Sequence, residues 1–366
     1  MGAKRFRRID VSPDREKLWI DARGGRTGGA DEGNSRMQND LPTFADVASA
    51  AERLRPVAVR TPLIACPKLD ELTGGRIFVK PEPLQRTGSF KFRGAYNRIS
   101  RLGSEQRAGG VVACSSGNHA QGVAAAATLL GMPSVIVMPK DAPALKKKRT
   151  MAFGGEVVEY DRETEDRDAI ANAIARERGA VFVPPYDDFY IIAGQGTVGL
   201  EIAEDLAALG IAPDVVVANA SGGGLISGIA LAIKEHFPRT RVLTAEPAGF
   251  DDHARSFRAG HRERNAQLSG SICDALLAAT PGRLTFEISS RLVGEGVSAS
   301  DEEVARAIAF AFEELKIVVE PGGAVALAAV LAGRLDLAGK TAAIVLSGGN
   351  VDPATFTACL EVAGRA

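Results

Sequence analysis

One lysine, Lys91, stands in a setting that a solvent-facing lysine does not need. It follows a Gly-Ser pair and an aromatic ring at residues 88–90, soon after the apolar run 77–79. Packing beside apolar surface disfavours the ammonium form, so such a lysine loses its proton more easily and can attack a carbonyl carbon. Residues 92–97 are typical of the start of a helix, which predicts that Lys91 lies at a loop–helix junction.

A second segment, residues 115–122, is predicted to join a strand to a helix and reads Ser-Ser-Gly-Asn-His-Ala-Gln-Gly. Its hydroxyls and free backbone N–H groups suit a carboxylate. A plain capping turn is the alternative, because Ser and Asn cap helices in any protein. The segment is richer in polar groups than capping requires, so we interpret it as functional.

Two further turns follow strands later in the chain. Residues 221–228 contain consecutive glycines, which allow backbone amides to close around a phosphate at a helix N-terminus. They match neither the Gly-x-Gly-x-x-Gly pattern nor a Walker loop, and tight packing is the alternative reading. Residues 347–351 offer a serine hydroxyl that could meet a ring nitrogen. Together with the lysine and the carboxylate turn, these features meet the requirements of pyridoxal phosphate acting on an amino acid.

Short apolar segments alternate with helical ones from residue 43 onward. The predicted strands are 110–114, 134–138, 156–160, 180–183, 214–218, 241–245 and 342–346, and the helices among them include 118–130, 142–153 and 166–178. This alternation indicates an α/β fold with parallel sheet covered by helices on both faces.

Composition places the chain among ordinary globular proteins. It has 366 residues, of which 45% are hydrophobic and 24% charged, and a net charge of -1 gives no reason to expect nucleic acid or a membrane surface as partner. No apolar run reaches the roughly 18 residues that span a bilayer, and the four cysteines lack metal-type spacing, so we expect a cytoplasmic protein. The basic and glycine-rich segment 1–40 is predicted to be a mobile tail.

The chain resembles the serine/threonine dehydratase group of fold-type II pyridoxal-phosphate enzymes, which includes threonine dehydratases, serine racemases and 3-hydroxyaspartate dehydratases. The resemblance runs from about residue 41 to the C-terminus. It rests on the ordered motifs at 87–95, 115–119, 141–143, 194–197, 221–224, 320–324 and 347–350. Phe90, the Phe-Arg-Gly segment 92–94 and His119 favour this group over the cysteine synthases.

The resemblance implies a fold like that of the tryptophan synthase β-subunit: α/β, with two open, twisted, mainly parallel sheets flanked by helices. It also implies two domains after the tail. Residues 41–103 plus 190–366 would form a large domain that binds pyridoxal phosphate, and residues 104–189 a small domain.

The resemblance further implies a role for individual side chains. Lys91 would bind the cofactor covalently and move the α-proton, and Ser116 aligns with the acid/base serine of serine racemases. The cofactor would be held by Phe90 against its ring, Asn118 at its ring oxygen, Ser347 at its ring nitrogen, and Ser221, Gly222, Gly223, Gly224 and Leu225 at its phosphate. The substrate carboxylate would be bound by Ser115, Ser116, Asn118 and His119.

A divalent cation is implied too, with Mg²⁺ first and Ca²⁺ or Mn²⁺ as alternatives. Glu246, the carbonyl of Phe250 and Asp252 would be its ligands, since hard cations prefer oxygen. The alternative is an acidic, solvated loop. His253 and His261 are interpreted as surface residues rather than ligands.

These implications predict β-elimination from a β-hydroxy-α-amino acid, such as L-threonine or L-serine, to a 2-oxo acid and ammonia in a homodimer or homotetramer. A 3-hydroxyaspartate dehydratase and a serine racemase of the same fold stay open. Residues 271–277 differ from the Thr-Ile-Ala-Asp-Gly type segment of many relatives, which leaves the substrate side chain undecided. A non-catalytic binding protein is disfavoured by the retained Lys91, Ser116 and Ser347.

Overall fold

The computed structural model describes residues 41–142 and 144–364, which lie in one compact unit. The predicted tail, residues 1–40, lies outside the described residues. The helices are α1 (Phe44–Leu54), α2 (Pro67–Thr73), α3 (Lys91–Ile99), α4 (Ser104–Gly109), α5 (Asn118–Leu129), α6 (Ala144–Ala152), α7 (Arg167–Arg178), α8 (Phe189–Ala208), α9 (Gly224–His236), α10 (Asp252–Ala259), α11 (Arg283–Leu292), α12 (Asp301–Phe310), α13 (Pro321–Leu331) and α14 (Pro353–Ala363). Short 3₁₀ turns occupy Glu82–Leu84 and Asp274–Leu276, and a π-helical turn occupies Ala311–Leu315.

Ten strands form two sheets in the described residues. They are β1 (Ile64–Ala65), β2 (Arg76–Pro81), β3 (Val111–Cys114), β4 (Ser134–Pro139), β5 (Glu156–Tyr160), β6 (Val181–Phe182), β7 (Val215–Asn219), β8 (Arg241–Pro247), β9 (Gly296–Ala299) and β10 (Thr341–Leu346). One sheet has the order β1-β2-β10-β7-β8-β9, and the other has the order β5-β4-β3-β6. All neighbouring strands are parallel except the antiparallel pair β1–β2.

The predicted architecture of mainly parallel sheets with helices is confirmed, and so is each of the seven predicted strands. Central strands such as β7 and β10 are buried along almost their whole length, which is why they read as continuous apolar runs. Strands β1, β2 and β9 are not among the predicted strands. For β1 and β9 the reason is that an edge strand of two or four mostly part-exposed residues carries no such run, whereas the apolar run 77–79 lies within β2. All four strands of the smaller sheet fall within residues 104–189, and the division into two domains stays a prediction.

Sheet order brings the chemistry-bearing turns together. Strand β10 lies between β2 and β7, so the turn after β10 lies beside the segment that leads from β2 to Lys91. The backbone N–H of Phe90 donates to the carbonyl of Ser347 at 3.2 Å, and Ser89 and Gly348 form an isolated β-bridge. The carboxyl ends of parallel strands are the usual ligand-binding edge of such sheets.

A buried cluster of charges anchors the helix that begins at Lys91. Arg93, two residues further along α3, forms paired hydrogen bonds with both carboxylate oxygens of Glu82, at 2.8 Å each, and of Glu201, at 2.7 and 2.9 Å. Lys80 donates to Glu201 at 2.6 Å and to the carbonyl of Thr61 at 2.6 Å. Although burial opposes the charge, the two carboxylates raise the pKa of Arg93. The cluster joins β2, α3 and α8.

Candidate active site

Lys91 is the first residue of α3, and its side chain is half-buried. Its Nζ donates to the carbonyl of Pro185 at 2.7 Å and lies 5.2 Å from the centre of the Phe90 ring. No carboxylate of the described residues forms an ion pair with it. Burial therefore lowers the pKa of Lys91 to about 8, which makes the neutral amine accessible near physiological pH.

The carboxylate turn lies between β3 and α5. Gly117 precedes the helix without a side-chain cap, and within the described residues the backbone N–H groups of Ser116, Asn118, His119 and Ala120 have no acceptor. Ser115 Oγ accepts from the N–H of Gly117 at 3.2 Å, whereas the half-buried Ser116 hydroxyl makes no hydrogen bond there. Free donors at the start of a twelve-residue helix suit a substrate carboxylate.

His119 belongs to this turn but points its ring into the protein. It is 3% exposed, its Nε2 donates to the carbonyl of Val183 at 2.9 Å, and its Nδ1 has no partner among the described residues. Burial, together with the nearby charge of Lys91, lowers the pKa of His119 to about 3. The imidazole is thus neutral at physiological pH, so it could contact a substrate only as an uncharged group.

The glycine turn lies between β7 and α9. Gly223 has a φ of +93°, a left-handed conformation that favours glycine. A Cβ on Gly222 would lie 2.2 Å from the ring of Tyr186, and one on Gly223 would lie 2.7 Å from the ring of His253. Within the described residues, the backbone N–H groups of residues 221–225 have no acceptor. They form a set of donors at the positive end of a helix.

His253 supports this turn from the protein interior, so the prediction that His253 is a surface residue is wrong. It is fully buried, and its Nε2 donates to the carbonyl of Ser221 at 2.6 Å. Thr285 donates to the carbonyl of Gly222 at 2.7 Å from the other side. Burial lowers the pKa of His253 to about 4, so the ring is a neutral structural donor. His261 is exposed, as predicted.

Ser347 directly follows β10 and is 5% exposed. Its Oγ accepts a hydrogen bond from Asn219 Nδ2 at 3.0 Å, and that amide nitrogen also donates to the carbonyls of Gly322 and Gly323. With an acceptor position filled, the hydroxyl proton is left to donate elsewhere. A donor hydroxyl is the partner that an unprotonated ring nitrogen requires.

Asn118 connects the carboxylate turn to the C-terminal part of the chain. Its Nδ2 donates to Oε1 of Glu320, and its Oδ1 accepts from Asn350 Nδ2 at 2.7 Å. Burial raises the pKa of Glu320 to about 7. Gly348 lies beside this contact, since a Cβ there would meet Glu320 Oε1 at 2.3 Å and Asn118 Nδ2 at 3.1 Å.

The residues present fit pyridoxal phosphate. An amine with a lowered pKa, a cradle of unpaired N–H groups and a donor hydroxyl correspond to the aldehyde, phosphate and ring nitrogen of that cofactor. The buried hydroxyls of Thr87 and Ser89 and the Nδ1 of His119 have no partner among the described residues, as expected where a bound group completes the site.

The predicted cation ligands are connected to the glycine turn through His253, whose backbone N–H donates to Glu246 and whose ring donates to Ser221. Glu246 is fully buried and accepts from the backbone N–H groups of His253 and Ala254. Burial raises the pKa of Asp252 to about 6 and raises the pKa of Glu246 well above its ordinary value. Asp252 Oδ2 is buried without a partner among the described residues. Phe250 precedes α10 and is 5% exposed.

This pair of carboxylates fits a hard cation in charge and in donor type. The part of the chain that the structure describes contains no group of three or more His, Cys, Asp or Glu side chains arranged for a metal. A cation there would need the Phe250 carbonyl and water as further ligands, so the site stays a prediction.

Several residues at the site were missed by sequence reasoning. Pro185 and Tyr186 sit in the loop after β6, where they contact Lys91 and the glycine turn. Asn219 and Glu320 orient Ser347 and Asn118 from distant segments. Of these four residues, only Glu320 lies in a motif that the sequence analysis used, the motif at 320–324.

Residues 271–277, the segment that differs from that of many relatives, lie close to the site. Asp274 forms an ion pair with Lys146 of α6, and both charges act on Glu320. Lys146 has only 14% of its side chain exposed, against 54% for Asp274. The segment therefore connects the region after α10 to a helix of the smaller sheet, next to Asn118.

No helix within the described residues is long and apolar enough to cross a membrane.

Comparison with known proteins shows which proteins this chain resembles in sequence and in structure. L-threonine ammonia-lyase of Thermotoga maritima is 45% identical over 310 residues, which cover 85% of this chain and 76% of that protein. L-threo-3-hydroxyaspartate ammonia-lyase of Saccharomyces cerevisiae is 40% identical and covers 85% of this chain and 94% of that protein.

The structure of maize serine racemase superimposes with a TM-score of 0.82 at 38% identity, covering 88% of this chain and 98% of that one. A family model described as pyridoxal-phosphate dependent enzyme matches residues 54–348. The extent of these matches shows that the chain belongs to the pyridoxal-phosphate dependent enzyme family.

Proposed function

We propose that the protein converts a β-hydroxy-α-amino acid, with L-threonine and L-serine as first candidates, to a 2-oxo acid and ammonia. The observation that carries the proposal is the Lys91 amine at the start of α3, whose Nζ hydrogen-bonds only a backbone carbonyl among the described residues and whose pKa is lowered to about 8, so that it can move a proton at Cα. Relatives named threonine ammonia-lyase and L-threo-3-hydroxyaspartate ammonia-lyase support the reaction class and keep 3-hydroxyaspartate as an alternative substrate.

The protein groups have separable tasks. Pyridoxal phosphate supplies the electron sink that makes Cα–H acidic. The free N–H groups at the start of α5 and the Ser115 hydroxyl orient the substrate carboxylate. Lys91 would then remove the Cα proton on its own face as hydroxide leaves from Cβ, and the proton and hydroxide together make one water. The unsaturated amine that is released takes up one water and hydrolyses to the 2-oxo acid and ammonia. Ser347 would donate to the ring nitrogen of the bound cofactor without placing a negative charge beside it, which would suit an elimination that needs no long-lived carbanion.

The test is an assay of 2-oxo acid and ammonia with L-threonine, L-serine and both diastereomers of 3-hydroxyaspartate, with and without Mg²⁺. We expect equimolar products from at least one substrate. Lys91→Ala should abolish turnover, while Lys148→Ala, at an exposed lysine, should not change it. Products at the native rate from Lys91→Ala, or no product from any substrate, would contradict the proposal.

A racemase is a second candidate because of Ser116. Its hydroxyl is half-buried at the carboxylate turn and makes no hydrogen bond within the described residues, so it is available as an acid/base group. Relatives named serine racemase in Schizosaccharomyces pombe and Arabidopsis thaliana support this candidate. Chiral analysis of L-serine reactions should show D-serine that Ser116→Ala eliminates; a native enzyme that forms none excludes it.

We also propose that the enzyme works in the cytoplasm as a homodimer or homotetramer, as the resemblance implies. Light scattering coupled to gel filtration measures the mass directly. A monomer would contradict the proposed assembly without affecting the proposed reaction.

A further inference from the structure

Three consecutive hydrogen bonds connect Arg149 with Glu320 through the side chains of Asn350 and Asn118. Arg149 Nη1 donates to Asn350 Oδ1 at 2.7 Å. Asn350 Nδ2 donates to Asn118 Oδ1 at 2.7 Å and to the carbonyl of Thr87 at 2.8 Å. Asn118 Nδ2 donates to Glu320 Oε1. All three hydrogen bonds therefore have the same direction, from the guanidinium towards the carboxyl group.

The neighbours leave each amide one orientation. A guanidinium only donates, so Arg149 requires the oxygen of Asn350 on its side. The carbonyl of Thr87 only accepts, so it requires the nitrogen. A rotated Asn350 would place N–H against N–H and oxygen against oxygen. Because Asn350 then offers its nitrogen to Asn118, the oxygen of Asn118 must face Asn350, and the nitrogen must face Glu320.

The approach of Asn350 depends on Gly88. That glycine has a φ of +73°, and a Cβ on it would lie 2.7 Å from Asn350 Oδ1. Asn350 itself is 7% exposed, so a hydrogen bond lost there is not replaced easily by water. Packing thus couples the glycine before Lys91 to the last residue of the 347–350 motif.

The guanidinium of Arg149 differs from the other cations of its helix in its hydrogen-bond partner. On the same helix, Lys146 pairs with Asp274 and Lys147 pairs with Glu159. No carboxylate of the described residues forms an ion pair with Arg149, whose guanidinium instead ends on the neutral amide of Asn350. Hydrogen bonds to charged donors are stronger than neutral ones, so the cation secures the orientation of that amide.

We propose that Asn350, held by Arg149, is a positioning residue that makes Asn118 present an N–H group, rather than its oxygen, to the ring oxygen of pyridoxal phosphate. The ring oxygen carries negative charge when ionised, so an N–H attracts it and an amide oxygen repels it. The inference rests on the proposed role of Asn118 at the cofactor, and it is independent of which amino acid is the substrate.

Asn350→Asp is the sharpest test because it keeps the shape of the side chain. The new carboxylate gains an ion pair with Arg149, so the link between α6 and the turn after β10 is retained. It also replaces the donor nitrogen with an oxygen that faces Asn118 and Thr87. We expect the Kd for pyridoxal phosphate to rise tenfold or more and the visible absorption band of the bound cofactor to shift as it does in Asn118→Ala.

A purely structural role for Asn350 would change the thermal midpoint alone. Native cofactor affinity and a native absorption band in Asn350→Asp would therefore overturn the proposal. A native protein that never binds pyridoxal phosphate would instead contradict the cofactor assignment, so the two failures are distinguishable. If Asn350→Asp does not fold, Asn350→Ala removes the same donor without adding charge and carries the same expectations.

A double-mutant cycle tests whether Asn350 acts through Asn118. In the Asn118→Ala background, Asn350→Asp should cause no further loss of cofactor affinity, because the group that it orients is gone. Losses that add in full would overturn the proposed route. Arg149→Met leaves both donor contacts of Asn350 in place and should raise the Kd less than Asn350→Asp; the reverse order would contradict the assignment of Asn350 as the positioning group.

Discussion

At the scale of single residues, burial determines the chemistry of the site more than charge pairing does. Lys91, His119 and Glu320 have no oppositely charged group in direct contact, and burial shifts the pKa of each toward the neutral form. The lysine is left as a base near neutral pH, and the histidine cannot compete for the same proton.

The pKa of Lys91 predicts how cofactor attachment depends on pH. Only the neutral amine attacks an aldehyde, and a lowered pKa increases its fraction at a given pH. The rate at which apoenzyme binds pyridoxal phosphate covalently should therefore rise from pH 6.5 and be half-maximal near the pKa of about 8. Stopped-flow absorbance measures this rate, and a midpoint near the ordinary lysine value of 10.5 would contradict the prediction.

At the scale of elements, turns at the carboxyl ends of strands supply most of the binding groups. The glycine turn before α9 combines unpaired N–H groups with close packing against Tyr186 and His253. Its glycines are required by space as well as by conformation, because the positions that a Cβ would occupy are already filled.

Gly222→Ala tests that packing. The added methyl group would lie 2.2 Å from the Tyr186 ring, so the turn or the ring must move. We expect the free energy of unfolding to fall by about 1–3 kcal/mol and the affinity for pyridoxal phosphate to fall at least tenfold. Gly103→Ala is the matched control, since nothing lies within 4 Å of its Cβ position. Equal affinities in the two variants would contradict the packing argument.

At the scale of the whole molecule, the site depends on contacts that cross between the two sheets and on the buried charges behind α3. Two cations, Arg93 and Lys80, and two carboxylates, Glu82 and Glu201, form a neutral set. Three of the four side chains are almost fully buried and that of Glu201 is 13% exposed, so each charge depends on the others for compensation. Although burial opposes ionisation, Arg93 and Lys80 lower the pKa of Glu201.

Arg93→Ala should destabilise the fold strongly. It leaves the buried carboxylate of Glu82 without a cationic partner and leaves Glu201 with Lys80 alone, which costs about 3–5 kcal/mol. Arg60→Ala is the control: its ion pairs with Glu204 and Asp205 lie at the surface, so we expect a change below about 1 kcal/mol. Urea unfolding measures both, and a loss in Arg93→Ala as small as in the control would refute the view that the cluster anchors α3.

The same cluster predicts how the free energy of unfolding changes at acidic pH. Because the pKa of Glu201 is lowered in the folded state, its contribution to stability is present above the unfolded value and is lost as the pH falls through the folded one. The excess stability of native protein over Arg93→Ala should therefore shrink at acidic pH.

The ion pair between Lys146 and Asp274 connects α6 to the segment 271–277, and its removal tests whether this contact contributes to substrate binding. Lys146→Met removes a contact across the site, so the KM for the amino acid should rise up to about fivefold while cofactor affinity stays native. Lys147→Met is the control, because Lys147 pairs with Glu159 on its own sheet. Identical KM values in both variants would show that the crossing contact has no part in binding.

Sequence alone was sufficient for the local features. Lys91 at a helix start, the seven apolar strands and the polar turns at 115–122, 221–228 and 347–351 all depend on neighbours in the chain, and periodicity and turn chemistry report such neighbours directly. The family membership followed from the same motifs and their order, and it was confirmed.

Only the tertiary structure decided which distant groups meet at those turns. Asn118 contacts residues 202 and 232 positions away, and the burial of His253 depends on its contact with Ser221, 32 positions earlier. Sheet order, with β10 inserted between β2 and β7, creates these contacts. No local pattern encodes that order, because hydrophobic periodicity specifies which face of an element is buried and not which element covers it.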